Sequence, residues 1–365
     1  MGVYMYIKNI SLINYRNYRQ LNLKLGQNIN IFIGDNAQGK TNILESIYYC
    51  GFAKSHKTNK DKELINCDYD KAYISLNIAN KRLDKKIDIN ILKDGKKAIK
   101  INSIKINKIG ELVGVFNVVM FSPEDLKIIK DSPGIRRKFL DMEISQLNKK
   151  YYYNLIQYNK ILSERNSILR QQKIETFMLD IYDSQLSTYG ELIIKERLKY
   201  IHKLNQQATI IHKDITCGKE NAEFKYIGSI KELDDIKSAL LMALGKNRQK
   251  DIDKKNTSVG PHRDDFMILI NNMDAKIYGS QGQQRTAILT IKFASLNIIK
   301  EITGEYPVLL LDDVLSELDL TRKKYILRSI IGIQTIITCT GTENLTNYLD
   351  NKTKVFKVKE GHIID

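Results

Sequence analysis

The run Gly34-Asp35-Asn36-Ala37-Gln38-Gly39-Lys40-Thr41 holds residue types in an order that can grip a polyphosphate. The glycines let the backbone curl so that successive N–H groups converge on a β-phosphate. The Lys40 ammonium then reaches the β/γ oxygens, and the Thr41 hydroxyl can ligate Mg²⁺. Two carboxylates, Asp312 and Asp313, close the apolar run Val308-Leu309-Leu310-Leu311 far downstream. A carboxylate at the end of a buried strand can hold Mg²⁺ through its water shell, while its neighbour polarises an attacking water. Paired acids also occur as plain surface turns, so this second feature takes its meaning from the first. Between the two stands Ser280-Gln281-Gly282-Gln283-Gln284-Arg285, where a helix would begin. A helix N-terminus with a serine hydroxyl is an anion receptor worth ~0.3–1 kcal/mol, or up to ~2 when partly buried, so it must act together with the lysine and the metal.

These residues need elements to place them. The apolar stretch Ile29 to Ile33 reads as a strand feeding the glycine-rich loop, and Asn42 to Ile47 opens a helix whose positive end faces the same anion. Tyr6 to Ile13 and Leu21 to Leu25 alternate as half-buried strands around a polar aromatic turn, Asn14 to Arg19. Ala72 to Ile78 and Lys86 to Leu92 alternate too, and the Asp94-Gly95 turn leads to Ile99 and Ile101 as a hairpin. Val113 to Phe121 reads as one buried strand, followed by a helix start at Ser122-Pro123-Glu124-Asp125. From Ile135 the period becomes helical. Leu147, Tyr151, Leu155, Tyr158 and Leu162 form one stripe, and Leu179, Tyr182, Leu186, Tyr189 and Ile193 another, which predicts an antiparallel pair in a compact helical lobe without a long coiled-coil arm. Near Thr257 the β-type pattern returns: Phe266 to Ile270 is apolar, Gln281 to Ile299 helical, Val308 to Leu311 a buried strand behind Pro307, and Ile333 to Thr338 another. Lys354 to Lys359 reads as a charge-protected edge strand. Residues 1–121 and 257–365 are therefore expected to fold together as an α/β lobe around a helical lobe, residues 122–256.

Composition bounds the classes. At 365 residues, 42% hydrophobic and 27% charged, the chain can bury one large core or two ordinary ones and is not disordered. No apolar run approaches the ~20 residues that cross a bilayer, and the N-terminus lacks a signal-peptide core and a myristoylation site, so a membrane role is not expected. Met5 is a candidate original start, with the first four residues an extension. Cys50, Cys67, Cys217 and Cys339 form no close pair, which fits reduced thiols and a cytoplasmic location. A net charge of +16 and a pI near 9.4 fit a polyanionic partner. Richness in Lys, Asn and Ile, the mark of an A/T-biased genome, explains the same charge without one.

Ser280, Gly282 and Gln283 resemble the Ser-Gly-Gly-Gln signature of ABC-type ATPase heads, with Gln281 in place of the first glycine. In that superfamily the signature faces the γ-phosphate held by a second subunit, and Ser316-Glu317-Leu318-Asp319 looks like the loop crossing the same interface. A helix cap with acidic first-turn residues is the other reading of that stretch. Further blocks are similar to those of the RecF family of bacterial recombination mediators, nearly along the whole chain. They are Asn14-Tyr15-Arg16-Asn17-Tyr18, Phe121-Ser122-Pro123-Glu124-Asp125-Leu126, Pro133 with Arg136-Arg137-Lys138-Phe139-Leu140-Asp141, Gly260-Pro261-His262-Arg263-Asp264-Asp265, and Leu311 to Asp319.

The resemblance implies an α/β fold: a P-loop ABC-type ATPase head of mixed sheets and helices, related to SMC proteins, plus a helical second lobe and no long coiled coil. It implies ATP and Mg²⁺ as cofactors, slow DNA-stimulated ATP hydrolysis and an ATP-dependent homodimer. It also implies binding to double-stranded DNA and to gapped or junction DNA, and work with RecR and RecO to load RecA in repair and fork maintenance. Gly34 to Thr41 would carry the phosphates, Thr41 and Asp312 the metal, and Asp313 the water. Ser280, Gly282, Gln283 and Asp319 would act across the dimer, with Arg16 or Asn17 approaching the nucleotide. The sequence departs from ABC heads in having Asp313 where glutamate is usual, no glutamine at Ser122 to Leu126, and no histidine at Ile337 to Thr340. His262 reads as a hydrogen-bonded turn residue, outside the catalytic set. The rival readings are a structural DNA-binding protein with a vestigial ATP site and, less well matched by the long helical insert and basic charge, a transporter ATPase subunit.

Overall fold

The structure is a computed structural model that describes residues 5–81, 83–341 and 353–364; the first four residues, read above as an extension, lie outside them. The chain divides into two compact units, one of residues 1–125 with 292–365 and one of residues 126–291.

The first unit opens with β1 (Tyr6–Tyr15) and β2 (Tyr18–Lys24), an antiparallel hairpin. The sequence predicts a turn over Asn14 to Arg19; only Arg16 and Asn17 form it, because Tyr15 pairs with Tyr18 and both rings are fully buried. Next come β3 (Ile29–Ile33), the loop, and α1 (Lys40–Phe52). β4 (Lys71–Ala79), β5 (Lys85–Leu92), β6 (Lys97–Ile101) and β7 (Ile104–Ile106) complete a six-stranded antiparallel sheet in the order β2-β1-β4-β5-β6-β7. Its core face follows from alternation: Ile10 and Leu12 stand opposite Leu76 and Ile74, all buried. The apolar run from Val113 is not one strand. It follows α2 (Ile109–Leu112), residues 113–115 are a turn with Gly114 at φ 78°, and only β8 (Val118–Phe121) joins a ladder.

The second unit holds α3 (Lys127–Lys130), α4 (Pro133–Leu147), α5 (Lys149–Ile168) and α6 (Thr176–Ile215). Asn148 starts α5 by accepting from the N–H groups of Lys150 and Tyr151. The buried stripe of α5 is Tyr151, Asn154, Tyr158, Ile161, Arg165 and Ile168, rotated from the apolar stripe read in the sequence. Arg165 sits inside because Asp183 and Asp251 pair with it at 2.6 and 2.9 Å, which hydropathy cannot reveal. α6 runs for 40 residues, roughly 60 Å, well past the Ile193 end of its sequence stripe. Then follow β9 (Ala222–Ile227), α7 (Ile236–Lys246), α8 (Arg248–Lys254), β10 (Asp265–Ile270), β11 (Met273–Asp274) and the start of α9 (Gln281–Thr303). Residues 257–291 cluster with this unit and not with the outer lobe, so the boundary falls inside α9; the cause is the antiparallel pairing of β10 with β9. Two of the blocks that carry the resemblance clamp this unit. Arg136 makes a bidentate pair with Asp265 (2.6 and 2.8 Å), and Arg137 donates to Asp264 O at 2.7 Å.

The chain returns to the first unit with β12 (Val308–Asp312), α10 (Leu320–Ser329), β13 (Thr335–Cys339), β14 (Lys354–Lys359) and β15 (His362–Ile364). The second sheet runs β15-β14-β3-β13-β12-β8, parallel from β14 to β8. β12 and β13 are buried along their whole length, as central parallel strands are. β14 is not the edge expected from its lysines: a turn at Gly361 lets β15 cover it, and Phe356 stacks on Phe32 of β3 at 5.1 Å. Among the described residues no coiled-coil arm extends beyond the α5–α6 pair, and no helix is long and apolar enough to cross a membrane.

Candidate nucleotide-binding site

The parallel sheet brings the two halves of the site together. β3 delivers the glycine-rich loop and β12 the carboxylates, with β13 between them. Gly39 takes φ 113°, and a Cβ there would stand 2.5 Å from Asn17 Nδ2. A Cβ on Gly34 would stand 2.3 Å from Val358 O of β14, so both positions demand glycine. Asp35, Asn36 and Ala37 face outward at the loop's crest. Lys40 is buried, and its ammonium donates to Gly34 O at 2.6 Å and Asp35 O at 2.9 Å. Gln38 is held from behind, its side-chain oxygen accepting from Glu360 N and its carbonyl from Gly361 N.

Thr41 Oγ1 donates to Asp312 Oδ1 at 2.7 Å, across 271 residues of sequence. Thr338, at the end of β13, donates to the same oxygen at 2.9 Å, while its own oxygen accepts from Asp313 N at 2.9 Å. Thr338 was not singled out in the sequence, where nothing marks it apart from its neighbours. Asp313 adopts φ 54°, which turns it out of the strand direction. Burial holds its carboxyl above the usual carboxylate range; Lys40 opposes this shift and Asp312 adds to it. Burial pushes the Cys339 thiol up to about 11, which leaves it unreactive.

His56 also escaped the sequence reading. Ser55 Oγ accepts from Lys57 N and Thr58 N and donates to Glu45, so the turn presenting His56 is rigid. The ring meets Tyr48 edge-on at 5.4 Å, and its two buried nitrogens have no hydrogen-bond partner among the described residues. Burial lowers its pKa while the carboxylates of Glu45, Asp312 and Glu124 pull it back up. Glu124 lies in the short 3₁₀ turn Pro123–Leu126 that occupies the place where a glutamine was sought.

The remaining expected residues take definite places. Arg16 gives its guanidinium to Glu45 at 2.8 and 2.9 Å and to Glu63 O at 2.7 Å. Asn17 donates to Gln38 O at 2.9 Å and accepts from Asn42 Nδ2 at 2.9 Å. Both therefore brace the loop and α1. In the second unit, Ser280 Oγ accepts from Gln283 N at 3.2 Å, and Gln283 Oε1 accepts from Ser280 N at 2.9 Å. This reciprocal pair is a capping box at the start of α9, with Gly282 in its first turn. Asp319 caps α10, accepting from Arg322 N at 2.9 Å and pairing with its guanidinium. Asp319→Ala should thus cost α10 about 1 kcal/mol in unfolding experiments. Asp319→Asn, whose amide oxygen can still accept, should stay within a few tenths of wild type. Equal losses would mean that charge, not the cap, is what α10 uses. His262 is a turn residue by its geometry: Nε2 faces Thr257 O at 3.1 Å and Nδ1 meets Tyr158 OH at 2.7 Å, with burial lowering its pKa to about 4.

Residues 6–364 match the family model described as the RecF/RecN/SMC N terminal domain. The DNA replication and repair protein RecF of Clostridium perfringens is 69% identical over 359 residues, covering 98% of this chain and 99% of that protein. The chain belongs to the RecF family. A solved structure described as the recombination mediator protein RecF-ATP in the RecFOR pathway shares the RecF fold with it at a TM-score of 0.92 and 40% identity, covering 99% of this chain and 97% of that one. An Smc head domain from Pyrococcus furiosus, at 15% identity and a TM-score of 0.58, extends the likeness in fold alone. RecF membership carries the ABC-type ATPase head fold, and in it the Thr41–Asp312 hydrogen bond joins the loop to the end of β12.

Proposed function

We propose that this protein is an ATP-switched DNA-binding ATPase of replication and recombinational repair. The observation that carries the reading is the Thr41–Asp312 hydrogen bond, because a hydroxyl and a carboxylate joined at 2.7 Å beside a phosphate loop are the protein half of a Mg²⁺ site. The donor set fits the metal. Mg²⁺ keeps waters and phosphate oxygens among its ligands, so one hydroxyl and one carboxylate suffice on the protein side. Mg²⁺ would neutralise charge on the phosphates. Gly34 to Thr41 cradle the triphosphate and Lys40 turns from the loop carbonyls to its β/γ oxygens. Asp313 orients the attacking water, and the His56 ring nitrogens are available to oxygens brought by the nucleotide. Slow hydrolysis suits an aspartate at this place, since its shorter side chain holds water less firmly than glutamate.

Two copies would close on ATP, the Ser280–Gln283 tip and Asp319 of each meeting the nucleotide of the other. The closed form holds duplex and gapped or junction DNA, which stimulates hydrolysis, and cooperates with RecO and RecR in RecA loading. Sedimentation with and without ATP–Mg²⁺ tests the dimer; a chain that stays monomeric with saturating ATP would refute it. DNA affinity should fall steeply with salt, with a log–log slope of about −0.9 per phosphate contacted. A flat response in a filter-binding titration would mean that the +16 charge is compositional only.

A further inference from the structure

The Ser280 end of α9 is held by a turn that no motif marks. Where α6 ends, Gly218 N donates to Lys213 O at 2.7 Å, and Cys217 and Gly218 take φ of 52° and 76°. The chain reverses there over the last turn of α6. Thr216 Oγ1 donates to His212 O at 2.7 Å and accepts from Glu220 N at 3.4 Å, fixing the start of the Glu220 side chain. Its two carboxylate oxygens face different neighbours. Oε1 accepts from Gln283 Nε2 at 3.0 Å, and Oε2 lies 3.5 Å from Nε2 of the fully buried His212. His212 Nδ1 stands 2.9 Å from Thr290 Oγ1, on the inner face of α9. That hydroxyl donates to Thr286 O at 2.9 Å, and its oxygen accepts from Nδ1–H; the Thr286 hydroxyl in turn donates to Gly282 O at 2.9 Å.

The first turn of α9 is thus gripped at two points, Gln283 through Glu220 and Gly282 through the threonine ladder, and both lead back to His212 near the end of α6. The Gln283 amide is engaged at both ends, its oxygen on Ser280 N and its nitrogen on Glu220. Ser280 Oγ only accepts in this arrangement, so its own hydrogen stays available to an oxyanion. A glutamine that lost its carboxylate partner could swing about three side-chain torsions and release the cap.

We propose that Glu220, fixed by the Thr216 turn at the end of α6, is a positioning residue that holds the Gln283 amide and so aims the Ser280 hydroxyl at the nucleotide of a second copy. It rests on the reading that this tip meets that nucleotide. The full-length protein is measured by sedimentation with adenosine 5′-O-(3-thiotriphosphate) and Mg²⁺, with nucleotide affinity and melting temperature recorded alongside. Glu220→Ala should raise the dimer dissociation constant about tenfold while nucleotide affinity and melting temperature stay near wild type. Glu220→Gln, which keeps an oxygen for Gln283 Nε2, should recover to within about threefold. Gln283→Met, which leaves His212 and Glu220 in place, should match Glu220→Ala, and the double variant should be no worse than either single one. Roughly hundredfold, additive losses in the double variant would overturn the coupling, as would a Glu220→Ala protein that dimerises normally while Ser280→Arg does not. If Ser280→Arg itself dimerises like wild type, the underlying reading of the tip falls and the inference falls with it.

Discussion

Lys40→Ala is expected to weaken ATP binding about a hundredfold or more and to abolish ATP-driven dimerisation. Removing one partner of a buried, charge-assisted contact costs about 2–5 kcal/mol, and each 1.4 kcal/mol is a factor of ten. Lys40 meets that condition, since its ammonium is buried against Gly34 O and Asp35 O and can move to phosphate oxygens without first shedding bulk water. Lys40→Arg should fail almost as badly, because a planar fork cannot occupy the point-charge position between two loop carbonyls. Sedimentation and fluorescent-nucleotide titration report both effects. A variant that dimerises with ATP as wild type does would remove the lysine from the mechanism.

Asp313→Asn is expected to separate binding from turnover. Hydrolysis should fall by about 10²–10⁴, the usual worth of a positioned base, while ATP affinity is retained and the dimer persists longer. The structure supplies the asymmetry: the Asp312 carboxylate is tied to Thr41 and Thr338, whereas Asp313 is held through its backbone, its N–H donating to Thr338 Oγ1 and its carbonyl accepting from Ser316 Oγ, which leaves its carboxylate to act on water. Should ATP affinity collapse instead, the two aspartates have been given each other's roles. Because burial raises the Asp313 pKa, the ionised carboxylate strains the folded state at neutral pH. The sign follows. The folded protein holds this proton more tightly than the unfolded chain, so the group's favourable contribution is complete below the unfolded pKa and is lost as pH rises through the folded one. Asp313→Asn should therefore melt higher than wild type at neutral pH, with the gap closing as the medium is acidified into the carboxylate range. The acid limb of ATP turnover in the wild type should likewise begin above the ordinary carboxylate range.

How much of this was legible follows from where each constraint lives. The glycine-rich loop, Asp312 and Asp313 could be found because phosphate and Mg²⁺ impose fixed residue types at fixed local spacing. Strand β12 was equally plain, since a central parallel strand is apolar on both faces. His56 and Thr338 were not legible. Their importance comes from pairing across distant strands and turns, and neither stands in a spacing that chemistry requires. Glu220 is hidden for the same reason, being defined by a turn after α6 and not by its neighbours in sequence. The Val113 to Phe121 run misled because hydropathy reports burial and not ladder pairing, and Gly114 turns the chain before β8 begins. β14 misled in the opposite sense. Its lysines are exposed, yet Gly361 folds β15 onto its open side, so exposure along a strand does not mark an unpaired edge. The helical stripe of α5 shifted because Arg165 and Asn154 are buried polar residues, and a pattern that counts only apolar side chains passes over them.

The strand order has a consequence for biosynthesis. β3 finds its ladder neighbours in β13 and β14, which are translated after the whole intervening insert. The early antiparallel sheet can pair as it emerges, but the strand that feeds the loop stays unpartnered while the intervening insert is translated. The wall behind Gly34 is itself made by Val358, near the very end. A nascent polypeptide arrested before Lys354 should thus be unable to retain nucleotide, however complete its loop, so that chains lacking β14 stay out of the ATP cycle.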